Sequence, residues 1–309
     1  MKRLLFLLLL CFLSLKALEP IAPLPSTVGD VDVEKAKLGR MLFFDPVLSS
    51  DKSVSCHNCH NFTHGGADPR PVSLGVDKRL GNIQSPTVYN SRYNFKQFWN
   101  GRASSLKEQA GGPLMSHTEM NMSSQKIEER LNNNSSYKKA FKSLYGHRSV
   151  SYNDVVDALV MFEKSLVTPN SRFDRYLRGE ISLTEEEKEG YDKFKSLGCI
   201  TCHNGINIGS NAFQKMGLFK AYPYDKHYPD RFAVTGQPYH KNVFKVPSLR
   251  NISLTAPYFH DGKAKTLEAA IDTMGRFNLG VKLSKKDISL LSSFLKSLEG
   301  ERPKILDMP

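Results

Sequence analysis

Cysteine, tryptophan and long apolar runs are all scarce in this 309-residue chain. It has a single tryptophan, and its five cysteines are too few for a disulfide-rich scaffold. Its longest apolar run, at residues 4–15, is shorter than the roughly 20 residues that cross a bilayer, so we predict no membrane span. Acidic residues are outnumbered by basic ones, 31 to 43, which gives a net charge of +12. Such a charge suits nucleic acid, a membrane surface or an acidic protein as partner.

The N-terminus has the pattern of a secretory signal peptide. A short basic start precedes the apolar run, and Ala17 supplies a small residue for cleavage, which predicts a signal peptide at 1–17. A lipoprotein anchored through Cys11 is the weaker alternative, because Leu10 precedes the cysteine where a small residue is needed. Cleavage removes three basic residues and lowers the net charge to +9. We therefore expect a periplasmic protein, for which nucleic acid is excluded as a partner.

The remaining cysteines form two C-x-x-C pairs, each followed at once by a histidine. They are Cys56, Cys59 and His60, then Cys199, Cys202 and His203. Thiols at this spacing lie on one side of a helical turn and can bond to both vinyl groups of a porphyrin, while the next imidazole ligates the iron. The motifs predict two covalently bound haem c groups. A redox dithiol or a zinc site is the alternative, but neither motif lies in a βαβ pattern, and the pairs are 143 residues apart.

Apolar periodicity predicts a mainly α-helical fold with long loops and minor β structure. Helices are expected at 33–44, from Ser104 or Ser105 to Ala110, at 151–166, from Thr184 to about Leu197, at 266–274 and at 284–298. Thr184 and Glu187 form the capping-box pattern that opens a helix.

An internal repeat divides the chain. Residues 86–110 align without gaps to residues 247–271, at an offset of 161, with six identities in 25 positions. Each copy follows one haem motif. We predict two c-type cytochrome-like haem domains related by duplication, at 18–168 and 169–309, and we allow for packing of the C-terminal tail on the first domain.

The repeat also predicts that the two haems differ. The second half offers three methionines as distal iron ligands: Met216, Met274 and Met308. At the offset of 161 the counterpart of Met274 is Pro113, and proline cannot ligate iron. We expect a relay haem ligated by His203 and Met274, whose sulfur raises the potential, and a first haem open to small molecules.

Three residues are candidates for chemistry near the open haem. Gln109 and Glu119 flank the Gly-Gly-Pro sequence at 111–113, which we predict to break the helix. A carboxylate close to an open iron can move protons, although a solvated surface glutamate is the alternative. Trp99, the single tryptophan, lies in the first repeat, with a simple core aromatic as its alternative.

From about residue 35 to residue 298, these features resemble the bacterial dihaem cytochrome c peroxidase family. The specific stretches are the two haem motifs, FWNGR at 98–102, LKEQA at 106–110 and LTAPYFHDG at 254–262. The resemblance implies an enzyme that reduces hydrogen peroxide to water with electrons from a small c-type cytochrome. These electrons would enter at the C-terminal haem and pass to the open N-terminal haem.

The resemblance also implies roles for individual residues. Glu119 falls on the catalytic glutamate, Gln109 on the distal glutamine, and Trp99 on the tryptophan between the haems. Calcium is implied between the domains, with Thr255 and Pro257 at carbonyl ligands and Gln84 where asparagine is common. The longer arm of Gln84 puts calcium affinity in question. Homodimers are common in the family, so a homodimer is a further expectation.

One departure concerns activation. Many members cap the oxidised peroxidatic haem with a histidine, and the alignment places Val76 at that position. Valine cannot ligate, His64 is expected on the proximal side, and His117 is the alternative cap. We expect a site that is open without prior reduction. The rival function is a dihaem electron-transfer cytochrome with little peroxidase activity, whereas the tryptophan-oxidising branch is disfavoured because it uses tyrosine where this chain has Met274.

Overall fold

The computed structural model describes residues 19–146 and 148–308, and the predicted signal peptide with Cys11 lies outside them. The helices are α1 (Val33–Phe44), α2 (Cys56–Cys59), α3 (Leu106–Met115), α4 (Ser124–Asn132), α5 (Ser135–Tyr145), α6 (Tyr152–Ser165), α7 (Arg172–Leu177), α8 (Glu185–Ser196), α9 (Phe232–Thr235), α10 (Leu267–Met274) and α11 (Lys285–Lys296). Within these two ranges, no helix is long and apolar enough to cross a membrane.

Sheet structure is minor, as predicted. Strands β1 (Phe213–Lys215) and β2 (Val243–Lys245) form an antiparallel pair in which Phe213 faces Lys245. The rest of the described chain consists of helices, short 3₁₀ turns and long loops. The mainly α-helical fold class is therefore confirmed.

Most predicted helices begin at the expected caps, because Ser, Thr and Asp side chains accept the first free amide hydrogens. The Thr184 hydroxyl accepts from Glu187 N, and Ser151 caps α6 in the same way. The predicted break at 111–113 is wrong, because α3 continues through it to Met115. Pro113 lies in the last turns, where only the carbonyl four residues earlier loses a donor. The pair α4 and α5 was not predicted.

Two hydrophobic cores organise the molecule. The first takes its buried residues from 36–166, together with Ile305 and Leu306 of the C-terminal tail. The second takes them from 173–298, together with Ile21 near the N-terminus. Ile21 and the pair Ile305 and Leu306 thus each pack on the half that is distant in sequence. Arg250 and Asp174, an ion pair buried in the second half, fix the N-terminal segment through the Ala22 carbonyl and the Leu24 amide.

The two halves repeat one helix crossing. At the crossing of α1 with α6, a Cβ on Gly39 would lie 1.9 Å from the Ala158 carbonyl oxygen. At the crossing of α8 with α11, a Cβ on Gly190 would lie 2.0 Å from the Leu290 oxygen. Only glycine permits such an approach, so both pairs are fixed at one close contact.

Backbone details recur at the offset of 161. Asn90 and Asn251 both have φ of 59°, and Phe98 and Phe259 have φ of 67° and 71°. Isolated bridges join residues 97 and 103 in one half and residues 258 and 264 in the other. The side-chain amides of Asn90 and Asn251 both donate to the Thr168 hydroxyl at 2.8 Å. The two repeats therefore meet at Thr168.

Candidate functional site: a cavity shared by two haem motifs

A cavity of about 650 Å³ lies between the halves. Its lining includes both haem motifs and two of the three candidate methionines, but neither Met308 nor the alternative cap His117: Cys56, Cys59, His60, Cys199, Cys202, His203, Met216 and Met274. The candidates Trp99, Gln109, Glu119, Gln84, Thr255 and Pro257 also line it. The fold thus brings together residues that are up to 218 positions apart in the sequence.

The first motif is held on one helical turn. Asn58 accepts hydrogen bonds from the Ser55 amide at 2.7 Å and from its hydroxyl at 2.9 Å, which stabilises the start of α2. His60 Nδ1 lies 3.3 Å from the Gly66 carbonyl oxygen, and this contact leaves Nε2 for the iron. Burial lowers the pKa of His60 and so favours the neutral imidazole that binds metals.

The second motif begins after a left-handed glycine. Gly198 has φ of 85° and precedes the 3₁₀ turn Cys199–Thr201. Burial lowers the pKa of His203 to about 4, and its buried Nδ1 has no hydrogen-bond partner within the described chain. All four thiols are unpaired and half-buried. Unpaired thiols, neutral imidazoles and a largely apolar cavity fit covalent haem c at both motifs.

The predicted catalytic pair lines the same cavity as the first motif. Helix α3 places Gln109 and Pro113 on the cavity, and the turn after it places Glu119 there. Burial raises the pKa of Glu119, while Ser116 and the positive charge of Arg102 act in the opposite direction. A carboxyl with a raised pKa is suited to take and return a proton.

Arg102 was missed as a site residue. It lines the cavity, and its guanidinium carbon lies 3.3 Å from the centroid of the Phe98 ring. Burial lowers the pKa of Arg102 and the charge of Glu119 raises it. In the repeat Arg102 aligns with Lys263, so both halves have a basic residue at this position. This match was the sequence signal that could have identified Arg102 as a site residue.

The loop at 73–81 packs beside Glu119. The Val76 amide donates to the Glu119 carbonyl oxygen at 2.9 Å, and the Val76 side chain is fully buried. Leu74 and Gly75 line the cavity, but Val76 does not. His117 is exposed outside the lining, and His64 contacts the Ala256 carbonyl on the other half. Among the described residues, only His60, His203 and His260 contribute imidazoles to the lining.

Two of the three methionines predicted as candidate iron ligands line the cavity. Met274 ends α10 in the cavity wall and is followed by a π-helical turn, Gly275–Leu279. Met216 also lines the cavity, and it is buried in an aromatic cluster against which Met274 packs as well. Met308 packs against the first core and does not line the cavity.

Trp99 connects the two halves. Its indole Nε1 donates to the Gln84 carbonyl oxygen at 2.8 Å, and its own carbonyl accepts from the Lys245 amide at 2.7 Å. The Gln84 amide donates across to the His260 carbonyl oxygen at 2.9 Å. Any motion between the halves therefore disturbs the surroundings of Trp99.

Two buried ionisable side chains on the cavity wall were also missed. Burial raises the pKa of Glu163 to about 8 and lowers that of Lys245 to about 8. Lys245 Nζ reaches only the Ser210 hydroxyl, at 3.3 Å, and no carboxylate lies within 4.0 Å of it in the described chain. Single polar residues inside apolar segments carry no periodic signal, so the sequence did not show them.

Comparisons with known proteins place this geometry in a family. The sequence profile described as di-haem cytochrome c peroxidase matches residues 33–182. The cytochrome c551 peroxidase of Nitrosomonas europaea is 44% identical over 286 residues, which are 92% of this chain and 85% of the relative. That of Pseudomonas aeruginosa is 39% identical over 295 residues, with 92% and 85% covered.

A solved structure agrees with the fold. The crystal structure of a MauG-like protein associated with microbial copper homeostasis is 29% identical, has a TM-score of 0.80, and covers 94% of this chain and 95% of that one. The chain belongs to the di-haem cytochrome c peroxidase family. It is an enzyme of the cytochrome-c peroxidase class, and the family description implies two haem groups.

Proposed function

We propose that this protein reduces hydrogen peroxide to water at the N-terminal haem, with electrons that enter at the C-terminal haem. One observation carries the proposal. Glu119 and Gln109 line the cavity together with Pro113. The counterpart of Pro113 in the second half of the repeat is Met274, which also lines the cavity. The first half thus places acid–base groups on the cavity beside Pro113, and the second half places the Met274 sulfur, a group that would ligate a haem iron, at the matching position.

The residues of this chain have different roles in the proposed reaction. Cys56, Cys59 and His60 would hold the first haem, and Cys199, Cys202, His203 and Met274 would hold the second. When bound, the haem irons supply the electron chemistry that cleaves the O–O bond. Glu119 accepts the proton from one peroxide oxygen and donates it to the other, so that the second oxygen leaves as water. Gln109 orients the peroxide by hydrogen bonding, and Trp99 lies in the path between the haems.

The inter-haem region also holds charge. Lys245 is buried without a carboxylate partner in the described chain, and a buried ammonium needs a nearby anion. A haem propionate would supply such an anion. Calcium would bind between the halves through the side-chain amide oxygen of Gln84 and the carbonyls of Thr255 and Pro257. Since no group of three or more His, Cys, Asp or Glu residues in the described chain could hold a metal, we expect this uncharged site to be weak.

The donor is a small c-type cytochrome with an acidic rim. Leu218, Phe219 and Val281 are exposed apolar residues beside the second haem motif, and Leu218 also lines the cavity. Phe219 and Val281 belong to one surface, because a Cβ on Gly280, the residue before Val281, would lie 3.2 Å from the Phe219 Cβ. Exposed lysines without a carboxylate within 4.0 Å in the described chain surround them: Lys215, Lys220 and Lys282. We therefore expect the rate of association with the donor to fall as salt is raised.

The proposal also includes the location, the domains and the assembly of the enzyme. We place the enzyme in the periplasm after cleavage of the signal peptide at 1–17, where it meets peroxide and soluble cytochromes. The two haem domains span 18–168 and 169–309. A homodimer is the expected assembly by resemblance to the family.

The test is peroxide-dependent oxidation of a reduced small cytochrome c. Fully oxidised enzyme and half-reduced enzyme are compared in parallel. Equal, fast rates are expected, because Val76 cannot ligate and, among the described residues, His60, His203 and His260 are the histidines that line the cavity. Activity only after half-reduction would show that another ligand caps the iron. Negligible activity in both, with several donors and added calcium, would favour the electron-transfer cytochrome.

A further inference from the structure

A run of aromatic rings leads from Trp99 into the second half. The His260 ring lies edge-on to Trp99 at 6.2 Å between centroids, and Tyr228 lies edge-on to His260 at 4.8 Å. Tyr224 follows at 6.4 Å from Tyr228, and Tyr222 lies 5.2 Å from Tyr224. None of the three tyrosines lines the cavity. The proposed peroxidase reaction does not use them.

Two of these tyrosines face a carboxylate. The Tyr228 hydroxyl donates to Asp225 Oδ1 at 3.0 Å, and the Tyr222 hydroxyl donates to Asp261 Oδ2 at 2.8 Å. These distances suit proton transfer to a positioned base. A phenol loses an electron far more readily when its proton can leave to such a base at the same time. Asp225 is exposed, so the proton it accepts can pass on to water.

We propose that Tyr222 and Tyr228 are an exit for oxidising equivalents, used when peroxide reacts and no donor electron is available. The inference rests on the proposed peroxidase function. Each phenol gives one electron towards the cavity by way of His260 and Trp99, and one proton to its aspartate. One hydrogen peroxide and two tyrosines then yield two waters and two phenoxyl radicals. Two electrons and two protons supplied later restore the phenols.

Phenol–carboxylate pairs alone do not define this exit. In the first half the Tyr137 hydroxyl donates to Asp45 at 2.8 Å, and the Tyr145 hydroxyl donates to Asp157 at 2.9 Å. Among the described residues, Tyr137 makes no aromatic pair and Tyr145 pairs only with Phe141. What distinguishes Tyr222 and Tyr228 is the continuous run of rings to Trp99. Tyr137 is therefore a matched control.

The experiment uses the enzyme with both haems bound and about one equivalent of hydrogen peroxide per protein, without donor. Rapidly frozen samples are measured by electron paramagnetic resonance, with and without ring-deuterated tyrosine, and trapped radicals are located by peptide mass spectrometry. Wild type and Tyr137→Phe should give a tyrosine radical that maps to Tyr222 and Tyr228. The double variant Tyr222→Phe/Tyr228→Phe keeps both rings and should lose most of that signal.

Donor-linked peroxide turnover is measured on the same samples. A wild type that turns over but forms no tyrosine radical overturns this inference and leaves the proposed function standing. A double variant with an undiminished tyrosine signal also overturns it, as does an equal loss in Tyr137→Phe. A protein that reduces no peroxide overturns the inference together with the function on which it rests.

Discussion

The two halves of this protein repeat one scaffold and differ in how one cavity wall ends. In the first half α3 runs through Pro113 to Met115, and the following turn brings Glu119 back to the cavity. In the second half α10 ends at Met274, and a π-helical turn follows. Under the proposed function, this one position would decide whether a haem pocket has a sulfur ligand or a reactive site. Gln109 and Glu119 line the cavity in the half that has proline at this position.

A second contrast concerns access. The first half keeps Glu119 half-buried against Arg102, whereas the second presents Leu218 and Phe219 to solvent beside its haem motif. A small molecule such as peroxide suits the first arrangement, and a protein donor suits the second. Substitutions in each half should therefore separate peroxide chemistry from electron entry.

The largest effect is expected for Glu119→Gln, which removes the proposed base but keeps the shape of the side chain. Peroxide-dependent oxidation of reduced cytochrome c should fall roughly 10²- to 10⁴-fold, the contribution typical of one acid–base group. The haem spectra should not change. Glu129→Gln on the exposed face of α4 is the control and should keep wild-type turnover. A small loss in Glu119→Gln would show that another group moves the proton.

Next in size is Met274→Leu, which would turn the second pocket into an open one. Loss of the sulfur ligand should lower the potential of the second haem, remove the sulfur-to-iron absorption band, and abolish most donor-driven turnover. Met216→Leu is the matched control, because Met216 lines the same cavity. Spectroelectrochemical titration of both variants decides between the two methionines. A shift in Met216→Leu alone would assign the ligand to Met216.

The shared scaffold is tested by Gly39→Ala and Gly190→Ala. Each added Cβ would overlap a carbonyl oxygen at 1.9 or 2.0 Å, so each variant should lose roughly 1–3 kcal/mol or more of stability, as overpacked sites do. Gly29→Ala is the control, since a Cβ there has nothing within 4 Å. Denaturant unfolding followed at the haem bands measures the loss. Comparable losses in both halves would support equivalent crossings, and a loss in one half only would contradict it.

The smallest effect is a shift in the pH profile. Burial raises the pKa of Glu119 and the Arg102 cation lowers it, so kcat/KM should fall as pH drops through that raised pKa. Arg102→Met removes the cation and should move this acidic limb to higher pH. Arg102→Lys keeps the charge and should leave the limb nearer to its original position. An unmoved limb in Arg102→Met would remove Arg102 from the electrostatics of the site.

Much of the fold was predictable because its signals are local. Asp32, Ser151 and Thr184 mark helix starts through hydrogen bonds within three residues, and α1, α6 and α8 begin where expected. The break predicted at Pro113 failed, since a proline late in a helix loses a single hydrogen bond and neighbouring contacts outweigh that loss. The pair α4 and α5 is strongly polar, and its apolar stripe was overlooked.

The sequence predicted which residues belong to the candidate site, but not how the fold brings them together. The haem motifs, Gln109, Glu119 and Trp99 were named from the sequence, and all of them line one cavity. Their roles remain predictions until they are measured. Arg102 was missed although Lys263 matches it in the repeat. Glu163 and Lys245 were not named, because nothing near them in sequence predicts burial of a charge.

The sequence by itself determined the chemistry that covalent spacing dictates: two thiols and an imidazole at each motif, a repeat at an offset of 161, and proline where the other half has methionine. Only the tertiary structure decided which groups share a cavity, that Val76 turns away from it, and that Tyr222 and Tyr228 form a run of rings to Trp99. The physical reason is the sequence distance over which each kind of interaction acts. Motif spacing and helix caps act over a few residues, whereas burial, pKa shifts and aromatic contacts depend on residues that meet only when both halves pack together.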